Sequence, residues 1–144
     1  MTLRYLLDTN VVSAPVSKTP NAAIVQRLET HGPECAIPAP VWHELIYGCR
    51  RLQAGERRVA IEAYLEHVVR ESFSILPYDE VAAAWHGRER ARLEALGRPA
   101  PYVDGQIAAI AQVNSLVLVT ANARDFTHFR DLKVEDWTRA SRRR

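Results

Sequence analysis

The sequence contains little cysteine, no glycine-rich phosphate loop and no long apolar run, and each absence excludes a class of protein. Its two cysteines, Cys35 and Cys49, form no Cys-x-x-Cys pair, so neither a disulfide framework nor a zinc cluster is expected. No nucleotide-binding glycine loop or Gly-x-Ser-x-Gly motif occurs. The apolar runs are too short for a signal peptide or a membrane span, so we expect a cytoplasmic protein with reduced thiols.

The charge is nearly balanced and unevenly placed. The net charge of +2 includes four arginines at the C-terminus, and the remaining 15 basic residues face 17 acidic ones. A strong nucleic-acid binder is usually basic as a domain, so charge by itself is weak evidence for such a partner. We expect one compact domain over residues 1–138, followed by a flexible basic tail over residues 139–144.

Short apolar segments alternate with amphipathic ones, which predicts an α/β fold with a parallel sheet between helices. The predicted strands cover residues 3–7, 36–37, 74–76, 116–119 and 133–135. Two predicted helices begin at residue 20, with Thr19 as N-cap, and at residue 40. Two more cover residues 78–96, ended by Gly97, and residues 103–113. The clearest helical period gives a fifth helix with an apolar face of Ile61, Tyr64, Leu65, Val68 and Val69. In the helix over residues 78–96 the apolar pattern of Val81, Trp85, Leu93 and Leu96 is interrupted at Glu89.

Four segments place a carboxylate where an apolar side chain is expected. Asp8 ends the first strand, Glu44 lies among apolar helix residues, Asp104 lies in the first turn of an apolar helix, and Asp125 follows a buried strand. Sites in open α/β sheets lie at the carboxyl ends of the strands. Several buried carboxylates repel one another, and a hard divalent cation such as Mg²⁺ or Mn²⁺ relieves that repulsion.

Each acid also has an ordinary structural explanation. Asp8 alone is equally well explained as a helix cap, Glu44 as a solvent-facing helix residue, and Asp104 as a stabilising first-turn charge. Asp125 alone is best explained as a turn residue. Short polar residues beside the acids either orient the carboxylates and bind nearby water, or simply form turns; they are Thr9, Asn10, Thr120 and Asn122.

The order of these motifs resembles the PIN-domain family, in particular its VapC toxin branch, over essentially the whole chain. The matching segments are LLDTNVVS at residues 6–13, PVWHELIYG at 40–48, YVDGQIAAIA at 102–111 and LVTANARDF at 118–126. One such motif is weak evidence, but four in this order are a strong signal.

The resemblance implies a PIN-like three-layer fold with about five parallel strands, and usually a homodimer. It implies an endoribonuclease that needs Mg²⁺ or Mn²⁺ and leaves 5′-phosphate and 3′-hydroxyl ends. It also implies a small VapB-like antitoxin whose C-terminal segment lies across the active site.

Transferred to this sequence, the family motifs assign the metal to Asp8, Glu44 and Asp104. Many PIN domains have a fourth acid two residues after the threonine, where this chain has the neutral Asn122, so Asp125 is the candidate to complete the catalytic set. Binding of a second metal stays open. Arginines can bind phosphate in a bidentate manner, and the candidates for contact with RNA are Arg50, Arg51, Arg88, Arg92 and Arg98.

Two other functions compete with this hypothesis. An acid-cluster phosphotransfer enzyme typically has Asp-x-Asp after the first strand, whereas this chain has Asp8-Thr9-Asn10. A non-catalytic acidic pocket that holds a basic peptide of a partner is the other alternative, and it predicts no carboxylate-dependent metal site.

Overall fold

A single parallel sheet forms the centre of the protein. The structure is a computed structural model and describes residues 2–139. The five strands are β1 (Tyr5–Leu7), β2 (Cys35–Pro38), β3 (Ser74–Leu76), β4 (Val117–Val119) and β5 (Val134–Glu135). They lie in the order β3-β2-β1-β4-β5, and every neighbouring pair is parallel. The predicted α/β class with a five-stranded parallel sheet is confirmed.

Helices connect the strands and cover the sheet. They are α1 (Thr9–Val12), α2 (Ala22–His31), α3 (Ala39–Arg50), α4 (Glu56–Tyr64), α5 (Arg70–Ser72), α6 (Glu80–Ala95) and α7 (Tyr102–Val113). Every residue of β1 and β2 is buried, as expected for parallel strands that have helices on both faces. The central position of β1 gives it β2 on one side and β4 on the other.

Polar caps define two of the helix starts, and one differs from the prediction. The Asn21 side chain accepts a hydrogen bond of 3.0 Å from the backbone N–H of Ile24, so α2 begins after Asn21 and not after Thr19. The Asp79 carboxylate accepts from the backbone N–H of Ala82 at 2.9 Å and caps α6. Gly97, predicted to end this helix, has φ of +70°, the left-handed conformation that glycine adopts easily.

The apolar period read over residues 61–69 includes a π-helical turn. Residues Leu65–Val69 form this turn between α4 and α5. The wider turn rotates the later residues relative to a regular helix. Leu65 and Val69 are buried, whereas Val68, predicted on the same apolar face, is 46% exposed.

The buried face of α6 also differs from the prediction. Val81 and Leu96 are each 59% exposed, although the sequence pattern placed both on the apolar face. The side chains that are buried on this helix belong to Ala82, His86, Glu89 and Leu93. Glu89, the polar residue that interrupts the apolar pattern, therefore lies inside the protein.

Two features concern the chain as a whole. None of the helices within residues 2–139 has the length and apolarity that crossing a bilayer requires. The predicted basic tail over residues 139–144 lies outside the described residues except for Arg139, so the division into a domain over 1–138 and a tail stays a prediction.

Candidate acidic site at the carboxyl edge of the sheet

Two adjacent strands end side by side and bring Asp8 next to Thr120. Leu7 of β1 is paired with Val119 of β4. The next backbone N–H, that of Asp8, donates to the carbonyl of Val119 at 2.9 Å. The buried Thr120 hydroxyl then donates to Asp8 Oδ2 at 2.8 Å. The strand pairing therefore fixes where the Asp8 carboxylate lies.

Asp8 is also a helix cap, as its ordinary structural explanation required. Its Oδ1 accepts from the backbone N–H of Thr9 at 2.8 Å, at the start of α1. The cap therefore uses Oδ1 of Asp8, and the bond from Thr120 uses Oδ2. The cap and a role in the site are therefore compatible, because carboxylate oxygens accept more than one partner.

Glu44 approaches the same place from α3, which follows β2. The hydroxyl of Thr9 donates to Glu44 Oε2 at 2.8 Å. Glu44 is exposed to solvent, so burial does not hold it there. The hydrogen bond from Thr9 links the second acidic motif to the first.

Asp104 lies in the first turn of α7, where the helix dipole favours a negative charge. Its side chain is half-buried. The adjacent Gly105 allows α7 to approach α6 closely, because a Cβ atom at this position would lie 2.2 Å from His86 Nε2. This close packing sets the position of Asp104.

Asp125 lies on the short 3₁₀ turn Ala123–Phe126 that follows β4. It is exposed, but its charge raises the pKa of both Asp8 and Asp104. The backbone N–H of Asn122 donates to Thr120 Oγ1 at 3.0 Å. Asn10 uses its side-chain oxygen to accept from the backbone N–H of Ala121 at 3.1 Å. Three of the four short polar residues thus make side-chain bonds around the acids, and Asn122 contributes its backbone.

The four carboxylates form one electrostatic cluster. Burial, followed by the charges of Asp8, Asp125 and Glu44, raises the pKa of Asp104 to about 6. Burial also raises the pKa of Asp8, against the hydrogen bonds from Thr120 and Thr9, and the charges of Glu44 and Asp125 raise it further. Within residues 2–139, none of the four acids forms an ion pair with a basic side chain. The uncompensated negative charge fits a cation.

These carboxylates do not surround a preformed coordination cage. Across the described part of the chain, no three His, Cys, Asp or Glu side chains are grouped closely enough to hold a metal ion. The donor chemistry nevertheless fits Mg²⁺ or Mn²⁺, which prefer carboxylate oxygens. Binding would require the acidic side chains to move closer together, and the ion would replace their mutual repulsion with attraction.

A cleft of about 250 Å³ opens beside Glu44. Thr9 and Glu44 lie on its wall, together with Arg57 and mostly apolar side chains, whereas Asp8, Asp104 and Asp125 do not line it. The cleft provides space for a bound molecule next to the Glu44 carboxylate.

The predicted arginines occupy different environments. Arg50 forms an ion pair of 2.8 Å with Glu62, and Arg51 lies over the Tyr47 ring. Arg88 and Arg98 are exposed, and Arg98 contacts His128 at 3.2 Å. The Arg92 guanidinium binds Glu89 and the backbone carbonyl of His128. Contact of these five arginines with RNA stays a prediction.

Sequence reasoning missed two buried polar residues near the site. His86 packs against Gly105, and its Nδ1 lies 2.8 Å from the Tyr78 hydroxyl. Glu89 binds Arg92 within the core. The polar interruption at Glu89 was visible in the sequence, and its meaning depended on which face of α6 is buried.

These features point to a structural class: small proteins with a parallel sheet whose carboxyl edge carries acidic residues. Residues 5–132 match the PIN domain family. The tRNA(fMet)-specific endonuclease VapC of Shigella flexneri is 34% identical over 137 residues, which are 94% of this chain and 99% of that protein. The toxin FitB of Neisseria gonorrhoeae is 33% identical over 84% of this chain and 89% of its own length.

Solved structures agree with the sequence comparison. A structure of FitAB bound to a DNA fragment has a TM-score of 0.87 and 28% identity, over 97% of this chain and 99% of the other. DNA-bound VapBC from Salmonella typhimurium has a TM-score of 0.81 and 32% identity, over 94% and 99%. The chain belongs to the PIN-domain family, as a VapC-type toxin. Neither the phosphotransfer nor the peptide-binding alternative is favoured by these matches.

Proposed function

We propose that this protein is a metal-dependent endoribonuclease and the toxin of a toxin–antitoxin pair. The observation that carries the proposal is the cluster of four carboxylates at one edge of the sheet, without a compensating cation among the described residues. The likeness to a tRNA-cleaving VapC endonuclease over 94% of the chain supports RNA as the substrate. A substrate of this kind is consistent with action in the cytoplasm.

Asp8, Glu44 and Asp104 are the residues that would hold Mg²⁺ or Mn²⁺. Such an ion, when bound, activates water at neutral pH and stabilises negative charge on the phosphodiester. Thr120 and Thr9 hold the carboxylates of Asp8 and Glu44 in place through their hydroxyls. Without these two bonds, both acids would lose part of their orientation toward the site.

We assign to Asp125 the role of general base, the group that removes a proton from the attacking water. The other three acids are assigned to the ion, and Asn122 has no carboxylate with which to accept a proton. A carboxylate Oδ of Asp125 would take up this proton as the water oxygen bonds to phosphorus and the bond from phosphorus to the ribose 3′-oxygen breaks. The 3′-oxygen leaves and takes up a proton to become the 3′-hydroxyl. Attack by water, rather than by the ribose 2′-hydroxyl, gives 5′-phosphate and 3′-hydroxyl ends.

Four exposed arginines would bind the RNA backbone. Arg88 and Arg98 are exposed and belong to α6 and to the loop that follows it. Arg50 and Arg51 lie at the end of α3, the helix that carries Glu44. A guanidinium can bind phosphate through two parallel hydrogen bonds, which suits all four residues to this task.

A VapB-like antitoxin is the proposed protein partner, and a homodimer is the proposed assembly. The similar solved structures are of FitAB and of VapBC, each bound to DNA. The antitoxin's C-terminal segment would lie across the acids and block them. A positively charged side chain in that segment would compensate the cluster in place of the ion.

RNA cleavage by purified variants tests the proposal. We expect wild-type protein to cleave RNA only with Mg²⁺ or Mn²⁺, and Asp8→Asn or Glu44→Gln to lose more than the roughly 10–100-fold typical of residues that only support a metal ligand. Sequencing of the RNA ends should show 5′-phosphates.

Asp131→Asn is the matched control. Asp131 is exposed and has φ of +59°, a conformation that asparagine also adopts readily. This variant removes the same charge and should cleave like wild type. Metal-dependent cleavage that persists in Asp8→Asn would refute the proposal.

A further inference from the structure

Glu89 is a charged residue in the interior of the protein. It is 6% exposed, and within residues 2–139 the buried polar or charged side chains are those of His86, Glu89 and Thr120. Burial of a carboxylate is unfavourable unless partners bind it. Hydrogen bonding by Arg92, above all, keeps the pKa of Glu89 below its ordinary value. The partners of Glu89 therefore explain how a charge is tolerated there.

Those partners join α6 to a loop. Arg92 Nε lies 3.1 Å and 3.2 Å from the two oxygens of Glu89. Glu89 Oε1 also accepts from the backbone N–H of Arg130 at 2.8 Å. Arg92 Nη2 donates to the backbone carbonyl of His128 at 2.8 Å. The ion pair on one helix thus binds two backbone groups of residues 128–130.

The same loop carries Asp125. At the start of the loop, the backbone N–H of Asn122 donates to Thr120 Oγ1. Further along the loop, the aromatic side chains of Phe126 and Phe129 are buried. Among the described residues, no hydrogen bond holds the Asp125 carboxylate itself. The position of this carboxylate therefore depends on how firmly the loop is anchored at its two ends.

We propose that Glu89 is a positioning residue of the acidic site. Together with Arg92 it fixes the loop over residues 122–130, so that Asp125 faces Asp8 and Asp104. This inference rests on the proposed nuclease function, because Asp125 is assigned there to accept a proton. We assign buried Glu89 no contact with RNA or with the ion; it acts through the loop.

Glu89→Gln is the first test. The amide keeps the size of the side chain and an acceptor for the Arg130 N–H, but it loses the charge that binds Arg92. We expect kcat for RNA cleavage to fall by about tenfold, with KM nearly unchanged, since the RNA-binding arginines are intact. Arg92→Lys is the second variant, because one ammonium group cannot reproduce the fork that binds Glu89 and His128 together.

Glu94→Gln is the matched control on the same helix. Glu94 forms an i,i+4 ion pair with Arg90, and both side chains are more than half exposed. This variant removes the same charge from α6 without touching the loop. It should retain wild-type kcat, and an equal loss in Glu94→Gln would overturn the inference.

A double-mutant cycle separates positioning from general stability. If Glu89 acts through Asp125, Glu89→Gln should cause no further fall in kcat when Asp125→Asn is already present. Losses that multiply independently would overturn the inference.

Hydrogen exchange distinguishes a failure of this inference from a failure of the proposed function. We expect amides of residues 122–130 to exchange faster in Glu89→Gln and Arg92→Lys than in wild type or Glu94→Gln, without RNA or metal. Unchanged exchange would overturn the inference. A third outcome is that the variants exchange faster while the wild-type protein shows no cleavage that depends on Asp8. That combined result would refute the nuclease function, and with it the role of Glu89 in catalysis, but it would support the anchoring of the loop by Glu89.

Discussion

At the scale of single residues, Asp104 shows how neighbours change a carboxyl group. Its sequence position, in the first turn of a helix, is ordinary for an acid. Its pKa of about 6 arises from burial and from three other acids that come from distant parts of the chain. The sequence indicates which residues these are, but the mutual repulsion depends on the folded arrangement.

The stability of the metal-free protein should therefore depend on Asp104 and pH. The folded-state pKa of about 6 lies above the ordinary value of 3.8, so between these two pH values the folded protein binds more protons than the unfolded chain. The loss of folding stability caused by ionised Asp104 is therefore fully present above pH 6. We expect Asp104→Asn to raise the free energy of unfolding at pH 7.5 by at most about 1 kcal/mol, because solvent screens this half-exposed group.

Thermal unfolding in EDTA at pH 7.5 and at pH 4 measures this effect. The difference between Asp104→Asn and wild type should shrink as the pH falls through 6 toward 3.8. Asp131→Asn, which removes an exposed carboxylate in the same way, is the control. A difference that grows on acidification would contradict the assigned electrostatics.

Thr120 offers a second prediction at this scale. It is fully buried, donates to Asp8 and accepts from the N–H of Asn122. Thr120→Val removes both bonds and leaves polar groups unpaired, so we expect a loss of about 1–3 kcal/mol in the free energy of unfolding. Urea denaturation measures it. Thr120→Ser keeps the hydroxyl and should lose less; a loss as large as that of Thr120→Val would contradict the importance assigned to the two hydrogen bonds.

At the scale of helices and strands, the sequence located most elements but not the faces they bury. Residues 74–76 were predicted as a strand and form one. The buried face of α6 differs from the predicted one, because packing against α7 determines it and Gly105 leaves room there for His86. The π-helical turn Leu65–Val69 likewise left Val68 exposed. Periodicity assumes a regular helix and cannot report either event.

Gly105→Ala tests the close contact between α6 and α7. The new Cβ would lie 2.2 Å from His86 Nε2, and the Tyr78 hydroxyl bonded to Nδ1 restrains that ring. We expect a loss of about 1–3 kcal/mol in the free energy of unfolding from overpacking.

Gly87→Ala on α6 is the control for Gly105→Ala. A Cβ at Gly87 meets no atom within 4 Å, so this variant should gain up to about 1 kcal/mol from helix propensity. Chemical denaturation of both variants decides the point. Equal stability of Gly105→Ala and wild type would contradict the tight packing described for these helices.

At the scale of the whole molecule, the candidate site depends on long-range assembly. The sequence identified Asp8, Glu44, Asp104 and Asp125 as candidates, and in the structure the charges of the other three all raise the pKa of Asp104. It could not predict the loop anchor at Glu89, because the Arg130 backbone lies 41 residues away. Sequence patterns report local periods, whereas such a contact depends on how two elements meet.

Divalent ions should stabilise the folded chain as a whole. An ion that binds only the folded state adds about 1.4 kcal/mol at roughly ten times its dissociation constant. For a domain of this size, the midpoint of thermal unfolding should rise by about 3–6 °C, at about 2–4 °C for each kcal/mol. Differential scanning calorimetry with Mn²⁺ or Mg²⁺ at pH 7.5 measures it. A similar rise in Asp8→Asn would assign the ion to another site.

The position of β4 beside β1 has a consequence for the synthesis of the protein. Thr120, whose hydroxyl binds Asp8, is translated 112 codons after it. A nascent chain therefore lacks both β4 and the hydrogen bond that fixes Asp8 until the segment through Thr120 has been made. The order of the strands thus delays assembly of the acidic site during translation.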